Sequence, residues 1–327
     1  MKICVYGAGA IGGYMAARLA HAGSDVTVIA RGAKLEAIRK NGLTLLSEAG
    51  DITTHPAVTE DPAEAGPQDY VIIAMKAHSV PAVAHKMMPL FGPKTAVVPA
   101  VNGVPWWYFH KLDGPWHDQR IETVDPGGAQ WTHIGPERVI GCVVYPAAEV
   151  VEPGVVRHIA LDRMPIGEPD GSKSDRASAL SKAMIAAGMK SPVRPRIRDD
   201  IWIKLWGNVA FNPVSMLTGA TLAEIAADEL VRPVVRAMMV EAKTIGEKLG
   251  VKFPIDVDRR LEGGGEVGDH KTSTLQDFEA GLPVELPALI GAVAELGRMT
   301  EVPTPAIDAI YALARQRAIT AGVWPEG

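Results

Sequence analysis

A glycine-punctuated turn near the N-terminus constrains this chain more than any other feature. Residues 2–6 (Lys-Ile-Cys-Val-Tyr) form a short β-type run, and Gly7-Ala8-Gly9-Ala10-Ile11-Gly12 follows it as G-x-G-x-x-G. Apolar and small residues then recur at helical spacing from Ile11 to His21, and Gly23 stops them. Asp25-Val-Thr-Val-Ile-Ala30 reads as a second strand, which completes a β-α-β unit. Strands joined in this way pair in parallel, cross over right-handedly and need helices on their faces. The fold class is therefore α/β, with a Rossmann-type doubly wound sheet at the N-terminal end. In that context Gly7 permits the tight turn and Gly9 lets the backbone approach a diphosphate. Gly12 lets helix and strand pack closely. The unpaired N–H groups at the helix start are suited to the anion. A glycine-rich turn without a ligand would carry the same letters.

The alternation continues. Tyr70-Val-Ile-Ile-Ala-Met75 reads as a buried strand, 78–89 as helical and Thr95–Ala100 as another strand. From Val104 to Pro136 the rhythm breaks into a segment rich in Trp, Gly, Pro and Asp, with Trp106, Trp107, Trp116 and Trp131. Loops of this length usually serve as lids or interface elements. Val139–Ile159 resumes as strands with a turn near Glu152-Pro-Gly154, and a helix is expected over 173–188. After Pro195 the pattern turns helical. Asp199 and Asp200 suit a helix start, and further helices are expected at 221–249, 273–281, 285–299 and 304–321. A chain of 327 residues exceeds what one core usually organises. We expect an α/β domain over 1–195 and an all-helical domain over 196–327.

Composition removes several classes. Apolar residues at 47% and charged residues at 22% argue against disorder, and a formal charge of −5 offers no basic field for nucleic acid. Cys4 and Cys142 are too few for a disulfide framework and sit in strand-like runs as small core residues. No apolar stretch approaches a membrane span, and the apolar start runs into glycines instead of a signal-peptide cleavage pattern. The expectation is a cytoplasmic protein without membrane or nucleic-acid partners; monomer and homodimer both stay open. Gly263–Gly268 has the spacing of a phosphate-binding loop, but Asp269 stands where lysine is required, so a flexible loop is expected there. The histidines and cysteines lack metal-ligand spacing, and no metal site is expected.

The end of the second strand bears on the cofactor. An NAD site places a carboxylate there for the ribose 2′-hydroxyl, whereas this chain has Ala30-Arg31-Gly32. A guanidinium pairs with a 2′-phosphate in two-pronged fashion, which favours NADPH; a solvated arginine after a strand is the plain alternative. Lys76 and Asn102 follow later strands, where an open parallel sheet forms its ligand crevice. Lys76 can reach cofactor phosphates or a substrate carboxylate, and Asn102 the nicotinamide ribose or the substrate. Ordinary loop residues would sit there equally well.

The second half holds a polar ladder in an apolar helix. Lys204, Asn208 and Asn212 recur at i, i+4 and i+8 among Ile201, Ile203, Leu205, Trp206, Val209 and Phe211. That spacing stacks them on one face. Buried amides need partners, and a lysine there needs an anion, which a carboxylate ligand would supply. A structural network or a snorkelling lysine is the alternative. Further on, Ser273 with Gln276 three residues later matches a capping box, and Glu285 opens the next helix, where a carboxylate suits the dipole.

Taken together, Gly-Ala-Gly-Ala-Ile-Gly-Gly with Arg31, the Lys204/Asn208/Asn212 ladder ending in Asn-Pro, and Lys-Thr-Ser-Thr-Leu-Gln-Asp followed by Glu285 resemble the ketopantoate reductase (2-dehydropantoate 2-reductase) family, in order and along essentially the whole chain. The resemblance implies a Rossmann domain followed by a helical domain. It also implies NADPH as cofactor and hydride delivery to a 2-oxo acid in the cleft between domains, with ketopantoate reduction in pantothenate biosynthesis as the expected role. By the same resemblance Lys204 is the proton donor and carbonyl-polarising group, and Asn208 and Asn212 bind substrate hydroxyl and carboxylate groups. Ser273 holds the substrate carboxylate, Glu285 organises Lys204, and Lys76 and Asn102 lie beside the cofactor.

The chain departs from the family twice. Where members commonly continue Ile-Asp-x-x-Asn-Gly after the glutamate, this chain has Leu286-Pro287-Ala-Leu-Ile290-Gly291, and the 104–136 segment is longer than usual. Both bear on which 2-oxo acid is used. A bulkier substrate lined by aromatics from 104–131 is the alternative on the same fold. A non-catalytic NADPH-binding sensor is a third reading, and it leaves the ladder without a purpose.

Overall fold

The computed structural model describes residues 1–325. It begins with β1 (Lys2–Tyr6), α1 (Ala10–His21), β2 (Asp25–Ile29) and α2 (Gly32–Asn41). Three short strands follow, β3 (Leu43–Leu46), β4 (Ile52–Thr54) and β5 (Ala57–Thr59). Next come α3 (Pro62–Ala65), β6 (Gln68–Ile73) and β7 (Phe91–Pro99). After the Trp-rich stretch lie α4 (Ala129–His133), β8 (Gly141–Cys142), β9 (Ala147–Glu152), β10 (Val155–Ala160), β11 (Ile166–Gly167) and α5 (Asp175–Ala186). The rest is helical: α6 (Ile197–Thr218), α7 (Leu222–Ala227), α8 (Val231–Lys248), α9 (Val257–Gly265), α10 (Ser273–Glu279), α11 (Ala292–Met299) and α12 (Pro305–Thr320). Among the described residues no helix is long and apolar enough to cross a membrane.

The chain divides into two compact units. The first comprises Met1–Val101, Trp107–Arg120 and Gly127–Ile197; the second takes Asn102–Trp106, Ile121–Pro126 and everything from Arg198 onward. A single cut near 195 therefore misses two short pieces that leave the first half of the sequence for the helical unit.

In the first unit an all-parallel sheet runs β5-β2-β1-β6-β7, with β1 at the centre. The chain goes to one side of β1 for β2 and to the other for β6, which is the topological switch of a doubly wound sheet. Strands β3, β4, β9 and β10 form a second sheet, which three- and four-residue strands had concealed in the sequence. Helix α1 packs against both. A Cβ on Gly12 would overlap the Gly7 carbonyl, and one on Gly13 would lie 2.6 Å from Val156 Cγ2. The two glycines thus let one helix approach two layers, and Tyr14, Met15, Leu43, Leu45 and Val156 fill the core around it.

Several local expectations change. Residues 77–79 and 81–90 are 3-10 turns, because Pro81 and Pro89 interrupt the helical run. The 221–249 helix is two helices. The Asp228 carboxylate accepts from the N–H groups of Leu230 and Val231 and restarts the chain as α8. The Trp-rich segment is core and not a lid at its aromatic run: Trp106, Trp107, Tyr108 and Phe109 are buried. Gly141 leaves room for the Trp107 ring, since a Cβ there would lie 2.7 Å from it. Gly263–Gly265 end α9 instead of forming a loop. Gly264 packs against the Phe211 ring, whose Cε2 and Cζ lie 2.6 Å from where its Cβ would be.

Candidate active site

The first unit carries the residues expected to hold a nucleotide. Gly7 has φ +112°, and a Cβ on it would lie 2.8 Å from the Ala74 carbonyl oxygen, so both conformation and space call for glycine. Ala8, Gly9, Ala10 and Ile11 are half-buried at the start of α1. Helix α1 has no acidic residue in its first turn, and no side chain caps it. Its leading N–H groups and positive end are therefore available to a diphosphate, and the residues fit that group. Arg31 is exposed directly after β2 and precedes α2 in extended conformation. Burial and the neighbouring Cys4 push the Tyr6 phenol up, and the Arg31 charge opposes the rise. Lys76 follows β6 and precedes a 3-10 turn.

The second unit brings three of the expected residues together. Lys204 Nζ donates to Asn102 Oδ1 at 2.6 Å, and Asn102 Nδ2 donates to Glu285 Oε2 at 3.3 Å. An ammonium only donates and a carboxylate only accepts, so the two partners fix which way the Asn102 amide points. Glu285 is buried at 6% exposure, and Asn102 and Lys204 are half-buried. The two side chains on Asn102 are drawn from positions 102 and 183 residues away in sequence.

The helix that supplies Lys204 is anchored on its other side. Trp202 and Trp206 are buried, Trp206 Nε1 donates to the Met239 carbonyl at 2.8 Å, and both rings meet Phe253 edge-on. The ladder does not stay on one face. A step of four residues overshoots a turn by about 40°, so Asn212 is rotated roughly 80° from Lys204. Asn212 is accordingly buried, and its Nδ2 donates to Thr274 Oγ1 at 3.1 Å. Asn208, between them, is half-buried, and its side chain makes no hydrogen bond among the described residues.

At the start of α10 the cap is Thr272, whose hydroxyl accepts from Leu275 N–H at 3.2 Å. The expected capping box at Ser273 is corrected: Gln276 Nε2 turns to the Lys271 carbonyl, and Ser273 is the exposed first residue of the helix. Freed from capping, the Ser273 hydroxyl is available to a ligand. Thr274 was not singled out by spacing; three consecutive hydroxyl residues, 272–274, share one helix start, and only packing separates their tasks. Among the described residues no cluster of three or more His, Cys, Asp or Glu could hold a metal.

Comparison with known proteins bears on the same two regions. The family model for ketopantoate reductase PanE/ApbA matches residues 3–111, and that for the ketopantoate reductase PanE/ApbA C terminal matches residues 196–318. A 2-dehydropantoate 2-reductase of Mesorhizobium japonicum is 54% identical over 99% of this chain and 100% of its own. A solved structure from Ralstonia solanacearum MolK2 is 43% identical, covers 98% of this chain and 99% of its own, and superposes with a TM-score of 0.94. The 2-dehydropantoate 2-reductase structure from Methylococcus capsulatus is 28% identical over 98% of each chain, with a TM-score of 0.84. With both family models matched, and with a relative of this identity aligned end to end, the chain belongs to the ketopantoate reductase family.

Proposed function

We propose that this oxidoreductase, from a family that works with a nicotinamide cofactor, uses NADPH to reduce 2-dehydropantoate (ketopantoate) to pantoate. The observation that carries this reading is the Lys204–Asn102–Glu285 hydrogen-bond chain in a member of this family. Gly7, Gly9 and Gly12, with Ala8, Ala10 and Ile11, would hold the cofactor diphosphate, Arg31 the 2′-phosphate, and Lys76 a further phosphate oxygen. When bound, NADPH supplies the hydride.

The chain's own residues manage the charge that reduction creates. Negative charge grows on the carbonyl oxygen of the 2-oxo acid, and the Lys204 ammonium stabilises it and donates the proton to that oxygen. Asn102 Oδ1 holds one N–H of Lys204, which aims the remaining two. Glu285 acts through Asn102 by fixing the amide. Asn208 and Ser273 supply polar groups for the substrate hydroxyl and carboxylate, and Asn212 holds Ser273 in place through Thr274. The buried aromatics at 106–109 serve packing and give no support to a bulkier substrate.

Initial rates of NADPH oxidation with 2-dehydropantoate and a panel of larger and smaller 2-oxo acids test the assignment. The highest kcat/KM is expected for 2-dehydropantoate. A higher value for an aromatic 2-oxo acid, or no turnover with any of them, would overturn it.

A further inference from the structure

The helix that begins at Leu286 opens with a π turn, Pro287–Gly291, in which the Ala292 N–H bonds back to the Pro287 carbonyl. A π turn widens the helix by one residue and aims carbonyls away from the regular ladder. The Ala288 carbonyl accepts the N–H of Val104 at 2.9 Å. Gly103, between Asn102 and Val104, has φ +90°, and a Cβ there would overlap the Ala288 carbonyl and lie 2.7 Å from the Ala288 Cβ. About two helical turns further along, the Glu295 carboxylate accepts from the N–H groups of Glu122 and Thr123 at 2.9 and 2.8 Å. A Cβ on Gly291 would lie 3.3 Å from Thr123 Cγ2. One helical stretch, 287–299, thus grips both short pieces, 102–106 and 121–126, that join the second unit from earlier in the chain. It does so with a backbone carbonyl and a carboxylate, and Glu285 immediately precedes it.

We propose that this π turn and Glu295 form a clamp in which Gly103 and Glu295 are positioning residues, holding Asn102 in register between Lys204 and Glu285. The catalytic consequence rests on the function proposed above. The clamp has a chemical logic. Asn102 lies on irregular backbone, which has no ladder of its own to fix an amide to within a few tenths of an ångström. The Ala288 carbonyl and the left-handed Gly103 backbone supply that fixity, and only glycine allows the two chains so close. The segment that replaces the family's usual residues after the glutamate, Leu286-Pro287-Ala-Leu, is the one that forms this turn.

The test compares Gly103→Ala, Gly103→Asn and Glu295→Gln with the unmodified protein by amide hydrogen exchange and by steady-state kinetics. Asparagine tolerates a positive φ better than alanine but carries the same Cβ. The clamp therefore predicts that neither Gly103 variant keeps turnover, with kcat reduced by about 100-fold, the usual effect of an ångström-scale misplacement, and KM for NADPH unchanged. Recovery by Gly103→Asn would overturn the contact with Ala288. Glu295→Gln keeps one of two acceptor oxygens and lies away from the reacting groups. It is expected to speed exchange at 102–106 and 121–126 and to lower kcat less, again without changing KM for NADPH. Unchanged exchange at 102–106 in Glu295→Gln, or a fall in kcat matched by a rise in KM for NADPH, would overturn the proposal. Absence of turnover in the unmodified protein would instead overturn the proposed function, and the exchange data would still decide whether the clamp exists.

Discussion

Lys204 and Asn102 are joined by a 2.6 Å hydrogen bond between a side chain on the first long helix of the second unit and one on a loop a hundred residues earlier. Glu285 holds the other end of the amide, so removal of Asn102 takes away a group that aims the lysine. We expect Asn102→Ala to lower kcat by up to about 100-fold while leaving NADPH affinity intact. Combined with Glu285→Gln it should cost little more than alone, since both act through one amide. Additive losses, measured as a double-mutant cycle on kcat, would show that the two residues work separately.

Arg31 follows β2 where an NAD site would carry a carboxylate. Arg31→Ala is expected to raise KM for NADPH with little change for NADH, because only the former loses a paired 2′-phosphate. Initial rates with the two cofactors at saturating 2-oxo acid measure the ratio; an unchanged preference would remove Arg31 from cofactor selection.

In the first unit, Glu168 is buried at 4% exposure and is held by Arg176 through two bonds of 2.7 Å, with Ser174 Oγ donating to it at 2.6 Å. Arg176 also reaches the carbonyls of Glu137 and Val139. Removing the guanidinium strands a buried carboxylate, which typically costs about 3–5 kcal/mol. Arg176→Ala should therefore lower the denaturant midpoint substantially, and a shift within error of zero would contradict the burial of this pair.

Asp170 is a pH probe for the same unit. Hydrogen bonds from Ser172, helped by Lys111 at 3.0 Å, hold its carboxyl well below the usual carboxylate range. A depressed carboxylate contributes stability above its unfolded pKa and loses it as pH falls towards the folded value. The unmodified protein should be more stable than Asp170→Asn at pH 7, and the difference should shrink as the pH drops below the ordinary carboxylate range. Its partial exposure keeps the effect small. Melting curves across that range would show the convergence, and a constant difference would exclude titration of Asp170 as the cause.

The sequence was most legible where one local rule dominates. The G-x-G-x-x-G turn between β1 and α1 announces itself because turn, close packing and anion binding demand glycine at fixed offsets. The second sheet was hidden because β3 and β4 are too short to show alternation. At α10 the Thr-Ser-Thr run offered three caps, and burial of Thr272 and Thr274 selected the first, moving the expected cap by one residue. The restart at Asp228 was readable, since an aspartate before an apolar run is an N-terminal signal. In the candidate active site, residue types at 204, 208 and 212 could be read but their directions could not, because the drift of the helix carries Asn212 into the core. No local rule could join Asn102 to Glu285, 183 residues away, or reveal that Gly103 rests on Ala288.

The most direct measurement is the turnover of Lys204→Ala with 2-dehydropantoate, read beside its NADPH binding by fluorescence titration. If the ammonium stabilises the developing oxyanion and delivers the proton, kcat falls by about 100- to 1000-fold while the NADPH dissociation constant stays where it was. Turnover close to that of the unmodified protein would contradict the account.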